Sequence, residues 1–197
     1  MVLSTKSSVK HGVAFVAIIL CFLSAACSEG KTAMDTVALD VKTLPLMHSE
    51  DVSTLISDSG ITRYRMVAKV WDVYDNPQPQ KSYWYFPKGI YVEKFDSLFN
   101  VVGSVKSDTA YNYDKKQLWH LIGNVKAMNL KKDKFETQEM FWDERLHKIY
   151  SDQPIRIEQI DGRVILGIGF DSNESMTDRH IYNVYADFYV SEKDSIP

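Results

Sequence analysis

The chain has 197 residues, of which 45% are hydrophobic and 25% charged, so its composition excludes a disordered or collagen-like chain and fits one globular domain. Its 23 basic and 26 acidic side chains leave a formal charge of -3, which argues against a duplex-binding surface and against nucleic acid as a partner. Aromatic residues make up 12% of the chain, and side chains of this kind favour half-buried β-sheet over helix.

Residues 1–26 have the pattern of a bacterial export signal. Lys6 and Lys10 precede an uncharged run at 12–26. As a helix this run would reach about 22 Å, short of the roughly 30 Å of hydrocarbon in a bilayer. We therefore predict a signal peptide that is removed, with a short uncleaved membrane anchor as the alternative.

Small residues precede Cys27 in the segment LSAAC at 23–27, which resembles the lipobox of bacterial lipoproteins, although Ser24 stands where leucine is usual. Cys21 lies in the apolar run, so Cys27 would be the one thiol of the mature chain and no internal disulfide could form. We expect lipidation at Cys27, a lipidated tether over 27–48, and anchoring of the domain at a membrane surface.

The folded domain is predicted over 49–190, followed by a C-terminal tail at 191–197. Its main signal is alternation, as in the segment 62–69, where Tyr64, Met66 and Ala68 alternate with charged residues. This pattern is typical of a strand with one buried face. Comparable runs lie at 83–86, 89–95, 101–106, 109–113, 118–122, 125–130, 135–142, 154–160, 163–170 and 180–190.

The most distinct turn signal between these strands is Asp161-Gly162. An Asp-Gly pair supplies both positive-φ residues of a two-residue primed turn, so we predict a tight hairpin here. No segment of the domain shows a convincing helical stripe, and the predicted fold class is therefore all-β.

Catalytic motifs are missing from this sequence. No histidine of the domain lies three or four residues from another histidine or from a cysteine, so we expect neither a metal site nor a cofactor. Carboxylates at Glu136, Glu139, Asp143 and Glu144 could pair as an acid and a base, but they fall on both faces of their strand. An enzyme is therefore the less favoured hypothesis for the function of this chain.

Several blocks, in this order, resemble the LptC family in its Bacteroidetes-type form. They are SDSGITRYRM at 57–66, YWYFPKGIYVEKFD at 83–96, LWHLIGNV at 118–125, ETQEMFWD at 136–143, KIYSD at 148–152 and ILGIGF at 165–170. The resemblance covers about 50–171 and weakens after 171. Family members usually keep an N-terminal transmembrane helix, whereas a loose lipobox stands in that place here.

The resemblance implies a twisted, open antiparallel β-jellyroll in the periplasm that takes part in lipopolysaccharide export. Its partners would be lipopolysaccharide, the inner-membrane ABC transporter of the Lpt system and a periplasmic LptA-like jellyroll. The chain would be anchored to the inner membrane as a lipoprotein. A lipoprotein binding module of the cell envelope, with its β core sealed, is the alternative function.

A lipid conduit would be lined by the inward residues of the strands, because acyl chains need only apolar area. Alternation predicts the following lining: Tyr64, Met66, Val105, Tyr111, Trp119, Leu121, Val125, Ile155, Ile157, Leu166 and Ile168. Without the resemblance, an ordinary closed core is the simpler interpretation of these residues.

An open jellyroll has unpaired edge strands that can pair with another chain. We expect the C-terminal edge, at 164–170 or at 181–190, to add a partner's strand through Val164, Gly167, Gly169 and Ile181. The N-terminal edge, around 52–57, is expected to face the transporter.

Overall fold

The computed structural model describes residues 44–78 and 81–189, so Cys27, most of the predicted tether and the predicted tail lie outside the described residues. The described chain is antiparallel β-sheet apart from turns and a 3₁₀ turn at Asp114–Lys116. This confirms the all-β jellyroll-like fold class. The strands are β1 Met47–Asp58, β2 Ile61–Tyr74, β3 Tyr83–Phe86, β4 Ile90–Phe95, β5 Val101–Ser107, β6 Thr109–Tyr113, β7 Leu118–Met128, β8 Lys134–Asp143, β9 Lys148–Glu158, β10 Arg163–Asn173 and β11 Arg179–Tyr189.

Two long strands pass from one sheet layer to the other. β2 pairs with β4 through 64–68 and with β3 through 72–74, while β7 pairs with β6 through 118–122 and with β5 through 126–128. Because β3 also pairs with β6 and β4 with β5, these six strands enclose an interior. β8, β9, β10 and β11 extend the sheet from β7, and β1 extends it from β2.

The change of layer in β7 occurs at a bulge. Gly123 and Asn124 have φ values of 78° and 44°, and the β7–β8 register shifts between Ile122 and Val125. The sequence pattern predicts two strands here, 118–122 and 125–130, whereas the structure has one strand bent at this bulge. A glycine at such a point adopts positive φ without steric cost.

The core forms along a row of inward side chains that the strand registers align. This row crosses seven strands and consists of Met66, Val92, Val105, Ala127, Phe135, Ile157 and Ile165. Phe135 and Ile157 are fully buried. Since paired residues project to the same face of a sheet, the register brings distant alternating segments into one apolar layer.

Two predicted strand boundaries and one predicted turn differ from the structure. β1 begins at Met47, inside the predicted tether, because its first residues pair with the end of β2. β9 begins at Lys148 rather than at 154. The Asp161-Gly162 turn is not a two-residue primed turn, because Gly162 has positive φ but Asp161 does not. Gly162 N donates to Gln159 O at 3.0 Å, so the loop between β9 and β10 is longer than the predicted two residues.

Candidate lipid-binding groove

An apolar groove of about 180 Å³ opens between the two sheet layers. Its walls come from β2, β4, β5, β7, β8 and β9, together with the β7–β8 and β10–β11 turns. The innermost side chains, Leu121, Met140 and Ile149, are 6%, 2% and 9% exposed. The groove is a part of the interior that the protein's own side chains leave unfilled.

Polar groups in the groove are few. Lys94 Nζ lies 6.0 Å from the centroid of the Tyr64 ring, and Glu174 Oε1 accepts a hydrogen bond from Trp142 Nε1 at 2.9 Å. Burial, followed by the charges of Glu174 and Glu144, raises the pKa of Tyr64 above its ordinary value, so this phenol stays neutral at physiological pH. Leu130, which is 60% exposed, also lines the groove.

The β7–β8 and β10–β11 turns meet at one end of the groove and are joined by buried polar contacts. Asn129 Nδ2 donates to Met176 O at 2.9 Å, and Arg179 Nη1 donates to Asp133 Oδ2 at 3.2 Å. Asn129, Asp133 and Met176 are 2%, 3% and 5% exposed. The side chain of Met176 thereby becomes part of the groove wall.

The dimensions and lining of the groove suit a hydrocarbon ligand. A cavity of about 150 Å³ lined by apolar side chains stays dry and takes up benzene, and transfer of each CH₂ from water contributes about 0.8 kcal/mol. The groove can therefore hold a short length of alkyl chain. Among the described residues, no group of three His, Cys, Asp or Glu side chains could hold a metal ion.

Seven of the predicted lining residues are inside the molecule. Tyr64, Val105 and Leu121 line the groove. Four more belong to the buried core but do not line the groove: Met66, Val125, Ile155 and Ile157. Alternation thus located the interior, but it did not distinguish filled core from open groove.

Trp119 and Tyr111 do not line the groove. Trp119 packs against the core, with its ring stacked 6.0 Å from that of Phe86. Tyr111 lies on the outer face, because its β6 neighbour Ala110 points into the core. Its ring instead stacks on that of Tyr85, with centroids 4.7 Å apart.

The inward orientation predicted for Leu166 and Ile168 is wrong. Leu166 pairs with Arg156, on the opposite face from Ile155 and Ile157, and Ile168 is 45% exposed. Ile165 packs against the core instead. The run ILGIGF has no polar residue to mark its outer face, so alternation could not set its phase.

A bulge in the same strand returns the next aromatic residue to the interior. The β9–β10 register shifts between Ile168 and Phe170. Gly169, with φ of 73°, is the residue that absorbs this shift. Phe170 is consequently fully buried.

The predicted C-terminal edge divides between two strands. β10, which carries Val164, Gly167 and Gly169, pairs with both β9 and β11 and is not an edge, so this part of the prediction is wrong. Ile181 lies on β11, which pairs only with β10 among the described residues. β1, which contains the predicted N-terminal edge, pairs only with β2 within the same described part of the chain.

Several groove residues lay outside the sequence prediction. Val92 and Trp142 lie on predicted strands and could have been found from the phase of their neighbours. Met176 gave no such signal, because it stands alone in the polar segment NESMTD at 173–178. Only the folded turn brings its side chain against the groove.

Within 44–78 and 81–189, no helix is both long and apolar enough to span a membrane. The family model described as lipopolysaccharide-assembly, LptC-related, matches residues 13–183. No curated protein matches the chain.

Proposed function

Because the chain belongs to the LptC family, we propose that it accepts lipopolysaccharide from an inner-membrane ABC transporter and passes it along a bridge of β-jellyrolls. Proteins of this family act in lipopolysaccharide transport rather than as enzymes, and in general they are periplasmic and associated with the inner membrane. The single observation that carries the finer proposal is the open apolar groove between the sheet layers.

In this proposal the groove holds alkyl tails, while the polar part of the lipid remains at the surface. Burial of apolar area needs no directional contacts, and the groove presents mainly Val, Leu, Ile, Met and aromatic side chains. Lys94 is the cationic side chain among the groove residues, and among the described residues no carboxylate lies within salt-bridge distance of it. An anionic group of the lipid would be attracted to this ammonium.

Two tyrosines provide a matched test of lipid binding. Tyr64 lines the groove, whereas Tyr111 lies on the outer face. A photoreactive p-benzoylphenylalanine placed at either position replaces one aromatic residue by another. We expect a lipopolysaccharide adduct in cells from position 64 and much less from position 111. Equal yields, or no adduct at either position, would instead favour a sealed binding module.

The two edges of the sheet are proposed to face different partners. β1 would face the transporter and β11 would add a strand of the next jellyroll, since unpaired edges offer free backbone donors and acceptors. β11 exposes Tyr185 and Tyr189 at 62% and 66%, and β1 exposes Leu55 at 59%. Crosslinkers at these positions should capture different proteins at the two edges. Capture of one identical partner at both edges would contradict a directional bridge.

The anchor is proposed to be a lipid on Cys27 in the inner membrane. Cys21 supplies a matched control, because it lies inside the predicted signal peptide. Labelling of cells with radioactive palmitate should mark the wild-type chain and the Cys21→Ala variant, but not the Cys27→Ala variant. Label that persists in Cys27→Ala would contradict lipidation at Cys27, and absence of label from the wild type would favour the uncleaved anchor.

A further inference from the structure

The groove is small for the ligand that the proposed function requires. Its volume of about 180 Å³ is close to the roughly 150 Å³ that suffices for benzene, a molecule of six carbons. The alkyl tail of a membrane lipid is much longer. If more than the end of one alkyl tail enters the interior, some part of the groove wall must therefore be displaced.

Most of the wall cannot move without loss of sheet hydrogen bonds. Val92, Val105, Leu121 and Met140 lie on strands that are paired on both sides. Glu174, Ser175 and Met176, by contrast, belong to the β10–β11 turn. Displacement of this turn would leave the ladder of strands around the groove intact.

Met176 is the apolar side chain of that turn, and the backbone there is held in an unfavourable conformation. The residue is 5% exposed and packs with the core, yet its φ is 52°. A non-glycine residue in this left-handed region persists only where surrounding contacts hold it. Met176 therefore combines a buried side chain with a backbone conformation that is uncommon for a residue other than glycine.

Trp142 on β8 holds the turn through its hydrogen bond to Glu174, and the neighbouring β7–β8 turn supplies further contacts. Asn129 Nδ2 donates to Met176 O at 2.9 Å, and Asn129 Oδ1 accepts from Asp133 N at 3.0 Å. Asp133 also accepts a charge-assisted hydrogen bond from Arg179, at the start of β11. This buried polar cluster of Asn129, Asp133 and Arg179, which we call the latch, is joined to the β10–β11 turn by the hydrogen bond from Asn129 Nδ2 to Met176 O, which forms only while the turn lies against the groove.

We propose that Met176 is a plug that sets how much alkyl chain the groove admits, and that the latch holds it in place. Displacement of the turn withdraws the thioether side chain and lengthens the apolar channel. Methionine suits this role because its flexible, unbranched side chain fills irregular space and can leave it. The inference rests on the proposed function, since it concerns the same groove and the same lipid.

The test compares crosslinking inside the groove with crosslinking at an exposed groove residue. A photoreactive p-benzoylphenylalanine is placed in the full-length chain at Tyr64 or at Leu130, and the ratio of lipopolysaccharide adducts, 64 over 130, is measured in cells. Met176→Ala should raise this ratio. Asn129→Ala should also raise it, by about fivefold, the change in an open population that follows from loss of the single hydrogen bond between Asn129 and the β10–β11 turn. Met176→Leu, which keeps the volume of the plug, should leave it unchanged.

The outcomes separate the plug from the proposed function. One outcome is that adducts form at position 64 with the same 64-over-130 ratio in Met176→Ala, Asn129→Ala and the wild type. This result would overturn the plug but would still support lipid binding in the groove. Adducts at neither position in any background would overturn both. If Met176→Ala fails to accumulate in cells, the ratio measured in Asn129→Ala tests the plug by itself, because this variant keeps methionine at position 176.

Discussion

His120 and Phe141 lie face to face across the β7–β8 pair, with ring centroids 4.2 Å apart and ring planes inclined by 15°. Phe141 stacks in turn on Tyr150, at 5.2 Å, and His120 hydrogen-bonds Glu139 at 2.6 Å. Together with the Tyr85–Tyr111 stack, these rings form a row on the outer face of the sheet. The row supports the sheet on the side away from the groove.

Removal of the central ring of this row should destabilise the domain without effect on the groove. Phe141→Ala loses two stacked contacts and half-buried apolar area, so we expect a loss of about 2 kcal/mol in unfolding free energy. Phe141→Leu keeps most of the apolar area and should lose about half as much. Urea denaturation measures both values, and a negligible loss in Phe141→Leu would show that stacking contributes nothing.

Two glycines with similar φ should respond differently to alanine. Gly60 has φ of 78° with nothing within 4 Å of an added Cβ, so Gly60→Ala should cost only the backbone strain of about 1 kcal/mol. Gly89 has φ of 83°, and its Cβ would lie 2.5 Å from Ser107 O. Because a paired backbone would have to move, Gly89→Ala should cost about 3 kcal/mol or more. Thermal and urea unfolding of the two variants would test this order, and the reverse order would contradict it.

Two arginine substitutions separate a buried ion pair from an exposed one. The side chains of Arg179 and Asp133 are 14% and 4% exposed, whereas those of Arg163 and Asp187 are 40% and 39% exposed. Arg179→Met should cost about 3 kcal/mol, since it leaves a buried carboxylate without its cation. Arg163→Met should leave the unfolding free energy almost unchanged, because solvent screens an exposed ion pair. Similar losses in unfolding free energy for the two variants would argue against a buried latch.

Alkaline titration should distinguish Tyr111 from ordinary tyrosines. Burial and the hydrogen bond to Tyr85 raise the pKa of Tyr111 to about 12, compared with about 10 in an unfolded chain. Its contribution to stability is therefore fully present below pH 10 and is lost as the pH rises through about 12. The absorbance of phenolate should show a late component that disappears in Tyr111→Phe. An unchanged titration curve in that variant would contradict the assignment.

Much of the fold and part of the groove were predictable from the sequence. In β2, Tyr64, Met66 and Ala68 alternate with charged residues. This alternation predicts both the strand and its buried face, because side chains of a strand alternate between two environments. The same alternation correctly placed Val105 and Leu121 in the interior. The family also followed from local blocks of sequence, and the family model confirms it.

Three decisive features depended on contacts between distant segments. The phase of Leu166 and Ile168 is set by their pairing with β9 and β11, since their own run is apolar on both faces. The status of β10 as an inner strand depends on β11 lying beside it. Met176 lies in the groove wall on a turn that accepts a hydrogen bond from Asn129, 47 residues away along the chain. The local sequence pattern thus determined which segments are strands and which face of each strand is apolar. Pairing between distant strands decided which apolar side chains fill the core and which ones border the open groove. The reason is that packing depends on neighbours that the local sequence does not contain.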